Sequence, residues 1–121
     1  MATPSNLTAN QQLIQELSDQ AVQLSYQISQ TKSVNTLLTR EKKKDELTIE
    51  DLKDMPDDHV AYKAVGRLFV KKAIPDLRKD LHEHSDYCET ELKGLKEKGE
   101  NLSKKMGDIE NQLREALSKE K

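Results

Sequence analysis

This sequence has no tryptophan, a single phenylalanine and only 3% aromatic residues, so a rounded core would lack the large side chains that usually fill one. Hydrophobic residues stop at 34% against 35% charged, which leaves two options: disorder, or long helices that share a narrow apolar seam. One cysteine, Cys88, excludes an internal disulfide and suits a reducing compartment. No stretch approaches the ~20 apolar residues of a membrane span. Met1 to Gln12 also lacks the basic start and apolar run of a signal peptide, so the chain is read as cytoplasmic. Neither charge sign dominates: the net charge is −2, with both signs mixed along the chain, and neither nucleic acid nor membrane is an expected partner. A glycine-rich phosphate loop and a nucleophile-base pattern are missing too, so no catalytic residue and no cofactor is assigned. His82, His84 and Asp86 stand two apart and do not face together on a helix, while Cys88 belongs to an apolar row; no metal site is expected from them. Lys42-Lys43-Lys44, followed by Asp45 and Glu46, reads as a solvated helix end.

Heptads are what the sequence does have. Ile74, Leu81, Cys88, Leu95, Leu102, Ile109 and Ala116 recur every seven residues, and Leu92, Met106 and Leu113 supply the apolar part of the second row. They predict a helix over 74–118, with Pro75 placed near its start. In the N-terminal half Leu7, Ile14, Ala21 and Ile28 form one row and Leu17, Leu24 and Leu38 the other, predicting a helix over 8–44. Asn10, Thr31 and Asn35 interrupt these rows; polar seam residues cost stability but set register. The two helices have similar lengths, of about 55 and 65 Å at ~1.5 Å per residue, and antiparallel pairing is expected.

Residues 45–58 read as a connector. Thr48-Ile49-Glu50-Asp51 resembles a capping box opening a short helix, and Pro56-Asp57-Asp58 would stop it. Over 59–72, Val60 to Val65 and Leu68 to Val70 are rich in β-formers, and Gly66-Arg67 suits a two-residue turn with glycine first. Alternation puts Val60, Tyr62 and Ala64 on one side and Ala61 and Val65 on the other, so both faces of the hairpin are partly apolar. Two strands alone are marginal in water, and pairing with hairpins of other chains is the economical solution. The expected fold is therefore mainly α: one domain, 1–121, with a long antiparallel two-helix coiled coil, a β-hairpin between the helices, and a shared barrel in an oligomer.

The order heptad helix, acidic connector, Tyr62-Lys63-Ala64-Val65-Gly66-Arg67-Leu68-Phe69-Val70, heptad helix resembles the β-type subunits of the prefoldin family, and Val65-Gly66-Arg67 leans toward subunit 1. The resemblance implies a heterohexamer with other α- and β-type subunits, joined through Val60, Tyr62, Ala64, Val65, Gly66, Leu68, Phe69 and Val70. It further implies a non-enzymatic co-chaperone that holds unfolded proteins, in eukaryotes actin and tubulin, and passes them to the cytosolic chaperonin without ATP. Antiparallel pairing brings the chain ends together, so Leu7, Leu13, Ile14, Leu17, Ile109, Leu113 and Leu117 are the expected client contacts. The other reading is a coiled-coil scaffold subunit of a prefoldin-like assembly complex.

Overall fold

The computed structural model describes residues 7–120; Met1–Asn6, part of the stretch read for a signal peptide, lie outside them. The order of elements is α1 (Ala9–Leu52), β1 (Val60–Val65), β2 (Leu68–Ala73) and α2 (Ile74–Ser118). A capping box opens α1. The Gln11 amide donates to Thr8 Oγ1 at 3.1 Å, and the Thr8 amide donates to Gln11 Oε1 at 3.0 Å, so each residue satisfies a donor that the first turn leaves free.

The chain divides into two compact units, residues up to Val34 with those from Leu95, and Asn35–Gly94. In the first, both helices contribute to an antiparallel seam. Leu17 and Thr31 of α1 and Leu102 and Ala116 of α2 are buried, at heptad spacing on each helix. The polar seam residues are satisfied. Thr31 Oγ1 donates to the Gln27 carbonyl at 2.8 Å, while Asn10 Nδ2 donates across the pair to the Ala116 carbonyl at 2.9 Å and to Glu120 Oε1 at 2.7 Å. Asn10 thus ties the start of α1 to the end of α2 by bonds that only one register allows.

In the second unit, α1 continues to Leu52 and corrects the expected connector over 45–58. Thr48 caps nothing: it lies inside the helix, with Oγ1 donating to the Lys44 carbonyl at 2.9 Å. The row Leu38, Asp45, Leu52 keeps the heptad step, and Asp45 and Leu52 are both buried. Asp45 hides the continuity in sequence because a carboxylate at a seam position reads as a break. In the fold it accepts a bond from His84 of α2, with Nδ1 and Oδ2 2.5 Å apart. Helix α1 ends at Leu52, where Arg78 of α2 closes it. Its guanidinium donates to the Leu52 carbonyl at 2.8 Å and the Met55 carbonyl at 2.6 Å, and pairs with Asp57 at 2.7 Å.

The strands pair antiparallel, with Val65 opposite Leu68, Ala64 opposite Phe69 and Tyr62 opposite Lys71. Gly66 has a φ of 61°, and no other described residue has positive φ. A two-residue turn with positive φ at its first position alone is the type II′ geometry that suits the twist of a hairpin.

Candidate functional site: the hairpin faces and the paired helix ends

Cross-strand partners share a face, so the register sorts the hairpin into two sides. Val60, Tyr62, Ala64, Phe69, Lys71 and Ala73 form one; Ala61, Lys63, Val65, Leu68, Val70 and Lys72 form the other. Neither side is covered. Phe69 is 75% exposed, Leu68 71% and Tyr62 67%, and Val60, Val65 and Val70 are exposed as well. The sheet holds only β1 and β2, which leaves each strand one edge with unmatched backbone groups. This is apolar surface with hydrogen-bonding edges, the combination that receives further strands. Its charge has one sign, since Lys63, Arg67, Lys71 and Lys72 lie between Val60 and Ala73 and no carboxylate does. Lys72 reaches back to Asp80 of α2 in an ion pair, which holds the foot of β2 against the helix that follows.

The seven leucines and isoleucines expected at the helix ends separate by exposure. Leu17 is 4% exposed and belongs to the seam, whereas Leu13 at 44% and Leu117 at 51% face outward. Leu7, Ile14, Ile109 and Leu113 are half-buried. Ile109 and Leu24 also border an open groove of about 500 Å³, flanked by Gln23, Gln27 and Lys105. The helix ends thus carry a mixture of packed and accessible apolar side chains rather than a closed pocket.

Sequence reading missed the polar cluster between the helices in the second unit. His84 stands between two carboxylates of α1, Asp45 at 2.5 Å from Nδ1 and Glu41 at 3.6 Å from Nε2, with Cys88 Sγ 4.0 Å from Nε2. Cys88 is fully buried. Burial pushes its thiol pKa up, and the nearby Asp45 and Glu41 carboxylates add to the rise. The available signal was the i, i+4 spacing of Glu41 with Asp45 and of His84 with Cys88, which sets each pair on one helix face.

Two helices that pack their apolar rows against each other, joined by a hairpin that leaves both faces exposed, define the class of this chain: a two-helix coiled chain with an uncovered β-hairpin between its helices. The pattern of the prefoldin subunit family matches residues 15–120, and the chain belongs to that family. It is 31% identical over 108 residues to the prefoldin subunit beta of Archaeoglobus fulgidus, covering 89% of this chain and 90% of the relative. To prefoldin subunit 1 of Arabidopsis thaliana it is 27% identical, covering 87% of this chain and 82% of the relative. The fold is similar to the crystal structure of the prefoldin beta subunit from Thermococcus strain KS-1, with a TM-score of 0.74 and 24% identity over 87% of this chain and 92% of that one. Among the described residues, no helix is long and apolar enough to cross a membrane.

Proposed function

We propose that this chain is a β-type subunit of a heterohexameric prefoldin, a cytoplasmic, ATP-independent co-chaperone that holds non-native proteins at the ends of its paired helices. The observation that carries this reading is the hairpin, exposed on both faces and open at both edges in a chain whose heptad rows are already buried or half-buried. Hairpins of other α- and β-type subunits would pair with it in a shared barrel, covering Val60, Tyr62, Val65, Leu68, Phe69 and Val70.

Client contact falls first on Leu13 and Leu117, which face outward, with Leu7, Ile14, Ile109 and Leu113 contributing their accessible parts. Leu17 supports the seam instead. Complete burial of one such side chain contributes about 1.5–3 kcal/mol, and partial burial less, so a single subunit holds weakly. Several subunits gripping one client raise its effective concentration at the remaining ends, and retention follows without a sequence-specific pocket. Actin and tubulin are the proposed clients and the cytosolic chaperonin the proposed recipient.

The test is aggregation of denatured actin in the presence of the assembled complex, comparing wild type with Leu13→Ser/Leu117→Ser and with a truncation that removes residues 1–12 and 110–121. Both variants should assemble and suppress aggregation less well. Assembly with undiminished suppression by both would move the chain to the scaffold reading, in which the helix ends serve one folded partner.

A further inference from the structure

We propose that Glu41, His84 and Cys88 form a binding site for a divalent transition metal, zinc above all, with Asp45 orienting the histidine and a water completing the coordination. The donor atoms already stand near the required positions. Bonds of about 2.0–2.3 Å at tetrahedral angles place neighbouring N, O and S donors about 3.4–3.6 Å apart. His84 Nε2 lies 3.6 Å from Glu41 Oε2 and 4.0 Å from Cys88 Sγ, and all three donors fall within 4.8 Å of one another. Closing on an ion draws the two histidine contacts in by a few tenths of an ångström and brings the Glu41 and Cys88 donors, within 4.8 Å of each other, together by up to about 1.3 Å.

Two helices supply the set. Glu41 and Asp45 are one turn apart on α1, His84 and Cys88 one turn apart on α2, so four rigidly held positions converge without a loop. Asp45 is the orienting residue. With Nδ1–H donated to its carboxylate, Nε2 presents its lone pair to the ion, the carboxylate-histidine-metal arrangement that fixes the tautomer and raises the basicity of the ligand.

Charge and access agree with this assignment. The Glu41 and Asp45 carboxylates beside the site favour a doubly charged cation, and binding deprotonates the thiol, with the proton passing to solvent as the S–metal bond forms. Two carboxylates and one thiolate around a divalent ion with a neutral imidazole leave one net negative charge. Nitrogen, oxygen and sulfur together suit zinc or cobalt better than magnesium or calcium. Cys88 is sealed, but the side chains of His84 and Glu41 are each 45% exposed, which opens one side for entry and for the water. The competing account is an ion pair, with protonated His84 shared between Asp45 and Glu41, and it predicts no thiolate-metal signal.

The experiment titrates Co²⁺ into the reduced, assembled complex of the full-length chain, using the complex with Cys88→Ser as the blank. A thiolate-to-cobalt charge-transfer band in the near ultraviolet should appear, saturate at one Co²⁺ per chain above the blank and disappear on adding Zn²⁺. His84→Gln and Glu41→Gln should each weaken Co²⁺ binding tenfold or more. Asp45→Asn, acting only through His84, should weaken it by about 10–100-fold while the charge-transfer band persists at saturation. Because Cys88 and Asp45 are buried, the half-exposed His84 gives the deciding variant, with helix content followed in parallel by circular dichroism. Absence of a saturable band in the wild type, or a band unchanged in His84→Gln, overturns the site.

Discussion

Single polar residues hold this chain in register where its apolar rows are thin. Asn10 bonds across the seam to the Ala116 carbonyl and to Glu120, and an apolar contact would tolerate a slip that these bonds do not. Replacing it with alanine should cost about 1 kcal/mol, seen as a lower urea midpoint with unchanged helix content in the native baseline. The Lys72–Asp80 pair works at the same scale. The bond from Lys72 holds the Asp80 carboxyl below its ordinary range, and the bond to Asp80 holds the Lys72 ammonium above its own. The depressed acid contributes stability above about pH 3.9 that is lost as pH falls through its folded pKa. The raised base contributes below about pH 10.4 and loses it as pH rises past its folded pKa. Asp80→Asn should therefore lower the melting temperature across the neutral range, and the difference from wild type should close at acid pH. A difference that persists below the carboxylate range would locate the effect in packing.

At the scale of elements, the question is where a helix stops. Helix α1 runs to Leu52 because the seam row continues through Asp45, and it ends where Arg78 takes the carbonyl of Leu52, its last residue, and that of Met55 just beyond it. Arg78→Ala should remove about 2 kcal/mol and raise cleavage of residues 53–59 in limited proteolysis, since charged hydrogen bonds to those carbonyls are lost together. Arg78→Lys should recover little of this, because an ammonium cannot reproduce the planar fork. Equal protection in the lysine variant would mean that charge alone closes the helix.

At the scale of the whole molecule, exposed surface decides behaviour. The hairpin leaves Phe69 and Leu68 on opposite faces, both more than two-thirds exposed, and carries only basic charge. On the proposed assembly, Phe69→Lys adds a fourth lysine to β1 and β2 and removes the largest apolar contact on its face. Subunit association should then fall at least tenfold in sedimentation, while the helices of the isolated chain keep their content. If partner hairpins supply the matching carboxylates, association should also weaken as salt rises. Undisturbed assembly of Phe69→Lys would place the interface elsewhere.

Much of the architecture was determined locally. Two heptad patterns specify two helices, and Gly66 between β-forming runs specifies the hairpin, because periodicities of seven and two and a left-handed turn position are properties of neighbouring residues. The uncovered faces of the hairpin follow from the same alternation. What only the tertiary structure decided depends on residues far apart in the chain. Asp45 reads as the end of a helix until His84, distant in sequence, turns it into a satisfied seam position, and nothing beside Arg78 in the sequence shows that it closes α1. The heptad rows already set Leu17 in the seam and leave Leu13 and Leu117 outside it, and pairing of the helices buries the first and leaves the other two exposed. The Glu41–His84–Cys88 cluster has the same origin: each helix holds half of the donors at ordinary spacing, and the pairing register alone makes them neighbours.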